Sequence, residues 1–356
     1  MSTMDNSTAT RIAIIGLGRA GSIHLEALKA VPGAQVVAVC DASAEMRARA
    51  EAAGIAAYAS PDAMLARASL DGVVVCTPPA DHAAISTRCL AHGVHVLCEK
   101  PLALTTWDVL TMLQAANRAH RKVLVASKFR HVPEVSRART LLAAGELGEP
   151  VSFEISFCSP VDMRERWNAQ SSLSGGGVII DNGCHAFDIV SYLFGSIRRV
   201  HATRLKSLQA VAVEDSATLQ VWAGEGVVGR VDLSWSLAPP RDSYLVVHGS
   251  HGSIEIGWQG ARLKRVGQAW RDIGGPYDKL GAHRAMNGCF VDSIDNGSEP
   301  WISASECLQT VAAVDAAYRS LESGTTEWVA IQGTRELDLV SLSGPGAEAS
   351  LAAASH

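Results

Sequence analysis

Apolar runs and helical patterns alternate along the first third of the chain. Residues 12–15, 35–40, 55–58, 72–76, 94–98 and 122–126 have the length and β-branching of buried strands. Between them, residues 20–30, 44–53, 82–92 and 105–120 carry the spacing of helices, with a shorter helix opening at Pro61-Asp62. The unbroken valine run of 72–76 predicts a strand covered on both faces, as in a parallel sheet. After a further helix ending near Ala144, the turn cluster Gly145 to Pro150 marks a change of texture. Residues 151–158, 197–206, 215–222, 227–237, 243–249 and 252–258 read as successive strands separated by Gly, Pro and Ser. They predict an antiparallel sheet, interrupted by a helix within 173–195 and followed by helices at 283–295 and 303–320.

This pattern divides the chain. Residues 1–10 are a polar tail, 11–128 a doubly wound parallel α/β domain, 129–342 a second α/β domain, and 343–356 a low-complexity tail expected to be flexible. Composition adds only exclusions. With 47% hydrophobic residues both domains can bury a core, and a net charge of −5 without a concentrated basic run gives no footprint for nucleic acid. The eight cysteines are scattered with no C-x-x-C pair, and no stretch reads as a signal peptide or membrane span. A cytoplasmic protein with reduced thiols is expected.

The first candidate chemistry follows the first strand. Gly16-Leu17-Gly18-Arg19-Ala20-Gly21 is a G-x-G-x-x-G loop between a strand and a helix. Gly16 suits the tight turn, Gly18 lets a pyrophosphate approach backbone N–H groups, and Gly21 lets the helix pack closely. The helix N-terminus supplies unpaired donors and a positive dipole end. Asp41, 20 residues beyond Gly21 at the end of the second strand, is placed to accept hydrogen bonds from an adenosine ribose. No arginine adjoins it at Ala42 or Ser43, so NAD is expected rather than NADP, with Arg47 one helical turn on as partial compensation.

Two more clusters end strands or open helices. Thr77-Pro78-Pro79 stops the fourth strand at its carboxyl end, where ligands gather in an open α/β sheet, and His82 starts the next helix. Glu99-Lys100-Pro101 closes the fifth strand; it is either a surface ion pair or a lysine held at the crevice edge, and the second reading is favoured. In the second domain three glycines precede Asp181, His185 and Asp188, spaced i, i+4 and i+7 as on one helix face. A carboxylate one turn from an imidazole can orient it for proton transfer, although Asp181 is equally a helix cap by position. The histidines lack metal-ligand spacing such as H-E-x-x-H, so no metal is expected.

Taken in order, the glycine loop, Cys76-Thr-Pro-Pro79 with His82, Glu99-Lys100-Pro101, Gly145-x-x-Gly148 and Gly-Gly-Gly-Val-Ile-Ile-Asp-Asn-Gly-Cys-His make the sequence resemble the glucose–fructose oxidoreductase/inositol dehydrogenase/rhizopine-catabolism family over about residues 11–340. The resemblance implies a Rossmann domain followed by an α/β domain with a large open, mostly antiparallel sheet, often used in homodimers or homotetramers. It implies Lys100 as the residue binding the reacting hydroxyl, His185 as acid/base and Asp181 as the group that positions or tunes it. It also implies a cis bond before Pro101 and substrate contacts from Arg130, Trp167 and Asn168.

The activity this implies is NAD-dependent, reversible oxidation of a ring secondary hydroxyl of a sugar, amino sugar or cyclitol. Arg130, His131, Arg164, Arg166, Asn168, Asp181 and Asp188 offer many polar groups and few aromatic ones, which suits a polyhydroxylated ring; the arginines also leave open a phosphate or carboxylate on it. Two other classes share this framework. An NAD-dependent glycosidase would give no net change in cofactor, and a dinucleotide-sensing regulator would not need the proton-transfer set.

Overall fold

The computed structural model describes residues 9–239, 241–299 and 301–331. Its chain forms two compact units. Residues 1–8 of the expected N-terminal tail, and all of the expected tail at 343–356, lie outside the described residues; Thr10 is already buried in the first strand.

The first unit carries β1 (Thr10–Ile15), α1 (Arg19–Leu28), β2 (Ala34–Cys40), α2 (Ala44–Ala52), β3 (Ala56–Tyr58), α3 (Pro61–Leu65), β4 (Gly72–Val75), α4 (Pro79–Ala91), β5 (His95–Cys98), most of α5 (Thr106–Ala119) and β6 (Val123–Val125). The six strands are all parallel, in the order β3-β2-β1-β4-β5-β6. The order reverses between β1 and β4, which is where such a sheet opens a ligand crevice. The helix opening at α4 begins earlier than the polar pattern suggests, because Pro79 occupies its first turn, where the missing N–H costs nothing.

The units do not follow a single cut between 128 and 129. Residues 103–110 belong with the second unit, and residues 279–302 return to the first. The returning helix, α10 (Lys279–Asp295), packs Met286, Phe290 and Val291 into the core formed by Ile12, Ile14, Leu28, Val39, Val74 and Leu97. Gly72 is the contact that admits it, since a Cβ there would lie 2.9 Å from both Ile12 Cδ1 and Ile294 Cδ1.

The second unit follows as α6 (Pro133–Ala143), β7 (Pro150–Cys158), α7 (Ser171–Ser174), α8 (Val178–Asp181), α9 (Gly183–Phe194), β8 (Ile197–Arg204), β9 (Ser216–Ala223), β10 (Val227–Ser234), β11 (Ser243–Gly249), β12 (Gly252–Gly257), β13 (Ala261–Arg265) and β14 (Arg271–Gly274). After α10 the chain re-enters it as α11 (Ala304–Ser323) and β15 (Glu327–Trp328). Nine strands form one sheet in the order β14-β13-β12-β11-β7-β10-β9-β8-β15. All neighbours are antiparallel except β7 and β10. Phe153, Ile155 and Phe157 of β7 are buried while Glu154 and Ser156 between them are only half-buried, so the period-2 alternation assigns one face to the core. β13, β14 and β15 are not anticipated by the apolar pattern, being short strands of mixed polarity, the last two at the edges of the sheet.

Candidate active site

In the first unit the crevice edge is built by two loops that touch. Gly16 leaves β1 with φ of +89°, and a Cβ on it would lie 2.8 Å from the carbonyl oxygen of Cys76 after β4. A Cβ on Gly21 would lie 1.9 Å from Gly16 O, so α1 packs on the loop only because that side chain is absent. Gly18 differs: a Cβ there would meet nothing within 4 Å, and it stands at the N-cap of α1. The protein itself does not require that glycine, but a pyrophosphate lying against the α1 donors would. Asp41 accepts from Leu17 N–H at 2.6 Å and Ser43 N–H at 2.8 Å, which fixes its carboxylate beside the loop. Arg47 donates from Nη1 to the carbonyls of Asp41 and Ala42.

Behind this edge lies a buried hydrogen-bonded network that spacing alone does not reveal. His82 contacts Thr77 O and Pro101 O, both at 2.8 Å, so one imidazole ties the loop after β4 to the loop after β5. Burial pushes its pKa down, opposed by these two carbonyls, which favour a doubly protonated ring. The Lys100–Pro101 bond is cis. Glu99 accepts from Lys100 N–H on one oxygen and faces His24 Nε2 at 3.2 Å with the other. His24 Nδ1 in turn lies 2.8 Å from Asn287 Oδ1 on α10. Burial opposes ionisation of Glu99, but the His24 contact and nearby positive charge prevail and hold its pKa at about 2. His283 completes the cluster, with donor atoms of His24, Glu99 and His283 all within 4.8 Å of one another. A proton between His24 and Glu99 satisfies that pair. The side chains of His82 and Glu99 thus have hydrogen-bond partners within the protein, tying together the loops that follow β4 and β5. Lys279, at the start of α10, is an unanticipated neighbour: burial lowers its pKa, and the charges of Arg19 and Lys100 lower it further.

In the second unit Gly175 takes a φ of +82°, and the two glycines after it are explained by Tyr318 and Glu214. A Cβ on Gly176 would lie 1.9 Å from Tyr318 Oη, and one on Gly177 would lie 2.1 Å from Glu214 O. The chain then forms α8, ending at Asp181, and resumes at Gly183 as α9 with His185 in its first turn. The predicted single helix is therefore two, joined at Asn182, whose side chain donates to Phe157 O at 3.1 Å. His185 is half-buried, and its ring stands edge-on to Phe129 at 5.2 Å and to Phe157 at 6.3 Å between centroids. Tyr244, Trp258 and Tyr277 extend this group: Tyr277 stacks on Phe129 and Trp258 packs on Tyr244. The expectation of few aromatic groups near the histidine is corrected. These residues come from five separate segments, and no sequence spacing joins them.

Several expected polar groups are also committed elsewhere. Arg130, whose side chain is 3% exposed, donates to Asp188 at 2.9 Å and to Glu306 at 2.7 Å, bridging α9 and α11. Asp188 is on the buried side of α9, so the i, i+7 spacing with Asp181 does not give a shared open face. Arg130 therefore braces the helix that carries His185. Arg164 pairs with Asp162 in solvent. Trp167 and Asn168 lie on one 3₁₀ turn, with Trp167 exposed.

The sequence matches the profile of the oxidoreductase family with an NAD-binding Rossmann fold over residues 10–127, and that of the GFO/IDH/MocA C-terminal domain over residues 135–255. The chain belongs to the GFO/IDH/MocA family. Within it, a D-apiose dehydrogenase of Paraburkholderia graminis is 30% identical, with 88% of each chain covered. An inositol 2-dehydrogenase of Saccharopolyspora erythraea is 29% identical over 88% of this chain and 95% of its own. The solved structure of GenD2 from gentamicin A biosynthesis, in complex with NAD, has a TM-score of 0.80 and 26% identity, covering 91% of this chain and 97% of its own. As a GFO/IDH/MocA protein the chain is a dehydrogenase of a sugar- and cyclitol-type family, with NAD as its cofactor. The open cradle at Gly18, beside the fixed carboxylate of Asp41, fits that cofactor. Among the described residues, no helix is long and apolar enough to cross a membrane.

Proposed function

We propose that the protein reversibly oxidises a ring secondary hydroxyl of a sugar, amino sugar or cyclitol. The bound nicotinamide supplies the hydride acceptor. Gly16, Gly18 and the N-terminus of α1 hold the pyrophosphate, and Asp41 the adenosine ribose. Lys100 donates a hydrogen bond to the reacting oxygen and stabilises negative charge developing there. His185 takes the hydroxyl proton, and Asp181 orients it. The reading is carried by Lys100, Asp181 and His185 standing at the positions that match the family's motifs, on segments held by hydrogen bonds to Glu99 and Glu214 and from Asn182.

Of the aromatic group around His185, Phe129, Phe157 and Tyr244 are buried and hold the imidazole, while the partly exposed Trp258 and Tyr277 are the rings that could add an apolar surface for the substrate. The eight cysteines are all free, in keeping with a cytoplasmic enzyme. The nine-stranded sheet, on which Arg230 and Trp328 are exposed, is the surface through which copies would associate.

The test is a screen of cyclitols, free sugars and amino sugars at saturating NAD, followed by absorbance of the reduced cofactor. Simple aliphatic secondary alcohols should be at least about 10³-fold poorer in kcat/KM, since buried polar groups of the site are left unpaired. A preference for the aliphatic alcohol ends the sugar reading. Turnover of a glycoside without net NADH would transfer the chain to the glycosidase class.

A further inference from the structure

Glu214 is a buried carboxylate, 2% exposed, with no part in the chemistry above. Its hydrogen bonds concentrate on one place, while Arg204 of β8 brings its guanidinium to 3.9 Å from Oε2. Its Oε1 accepts from Gly177 N–H at 3.1 Å, Ile179 N–H at 3.1 Å and the Tyr318 hydroxyl at 2.8 Å. Its own backbone oxygen accepts from Val178 N–H at 2.9 Å. One residue therefore satisfies the three successive N–H groups that open α8, which otherwise have no partner at a helix start. Tyr318 Oη also accepts from Gly177 N–H at 3.1 Å, and burial followed by the Glu214 charge pushes the phenol's pKa up, keeping the proton that it donates. The side-chain-free positions 176 and 177 are where Tyr318 and Glu214 press closest.

We infer that Glu214, assisted by Tyr318, is a positioning residue that sets the register of α8 and α9 and thereby the mutual orientation of Asp181 and His185. The inference rests on the proposed roles of those two residues for its catalytic consequence, but not for its structural one. From Gly177 to His185 the path is short and stiff: Asp181 N–H donates to Gly177 O at 3.0 Å, Asn182 N–H to Val178 O at 2.8 Å, and His185 N–H to Asn182 O at 3.1 Å. A shift at the first turn is passed along this ladder. Glu214 directly precedes Asp215, which binds Leu208 N–H, Gln209 N–H and the Ser236 hydroxyl, so the carboxylate sits on a backbone that is itself fixed.

The experiment uses the full chain with ¹³C-labelled histidine, the His185 ring signal being assigned by its loss in His185→Ala. Glu214→Gln keeps the shape but removes the charge and places an amide among donors. It should move the His185 titration midpoint by about half a pH unit or more, because the change at the start of α8 is passed along the backbone to α9 and alters the surroundings of the ring. NAD affinity, which belongs to the other unit, should stay within about twofold. On the best substrate of the screen, kcat should fall about tenfold or more with KM little changed, and the loss should shrink to about twofold in a His185→Ala background. Tyr318→Phe should move the His185 midpoint by a smaller amount, and it decides the matter if Glu214→Gln does not fold. A folded variant with an unchanged His185 titration overturns the inference, as does an equal loss of kcat with and without His185. A fully active His185→Ala enzyme would instead remove the catalytic reading, leaving the titration to judge Glu214.

Discussion

The two units solve the problem of placing reactive groups in different ways. In the parallel unit the groups follow strand ends directly: the glycine loop after β1, Asp41 after β2, Thr77 after β4 and Lys100 after β5. In the antiparallel unit the reactive helix is assembled from outside, with Glu214 and Tyr318 at its start, Phe157 O on Asn182, and Arg130 with Glu306 on its buried side. A strand-end site is positioned by local chain geometry, whereas a helix site needs partners distant in sequence. Substitutions far from the chemistry should therefore matter more in the second unit than in the first.

Arg130 gives the largest expected effect. Arg130→Ala leaves Asp188 buried without its cation, and breaking such a pair costs about 3–5 kcal/mol. A shift of this size in the chemical denaturation midpoint, with KM little changed among the molecules that remain folded, is the expected result. A stable variant with a raised KM would return Arg130 to the substrate-contact role that the family resemblance implies.

Lys100→Ala and His185→Ala come next. Each should lower kcat by about 10²-fold or more, equivalent to about 2.7 kcal/mol, while NAD affinity is nearly unchanged. Asp181→Asn should cost less than the histidine change. Normal turnover by His185→Ala would take the helix unit out of the proton transfer.

The comparison also explains what could be read from the chain. The strand-end groups were legible because each is contiguous with the apolar run that places it. Asp181 and His185 are proposed from the glycine triplet and the family resemblance, and the helix pair that carries them was anticipated only as one helix. Arg130 and Asp188 are 58 positions apart, and Phe129, Phe157, Tyr244, Trp258 and Tyr277 lie on separate segments, so no periodicity could pair them. The return of α10 to the first unit was equally hidden, since an amphipathic helix does not announce which core it joins.

That returning helix makes the first unit sensitive to acid. Against burial, which raises it, the pKa of Glu99 is held at about 2, below the ordinary 4.5, by the hydrogen bond and charge of His24 and then by the charges of Lys100 and of His283 on α10. A depressed carboxylate contributes its stability above the unfolded pKa and loses it as pH falls from about 4.5 towards 2. The contribution is on the order of 2–3 kcal/mol, and Glu99→Gln should flatten the stability profile in that window. An unchanged acid limb in the variant would show that other groups govern it.

The smallest effect expected concerns the cofactor and tests the strand-end principle at its simplest. Asp41 is locked by Leu17 N–H and Ser43 N–H, so its carboxylate cannot swing away from a ribose. A 2′-phosphate placed there meets a fixed negative charge, and neither Ala42 nor Ser43 supplies a guanidinium to answer it. Arg47 lies close by, but its Nη1 is engaged by the carbonyls of Asp41 and Ala42. NAD should therefore exceed NADP by at least about tenfold in kcat/KM, or about 1.4 kcal/mol. Asp41→Ala should narrow the ratio by removing the repulsion, and Asp41→Ala with Arg47→Ala should separate the carboxylate's contribution from the guanidinium's. Equal or better kinetics with NADP in the unaltered enzyme would mean that the group which ends β2 does not choose the cofactor.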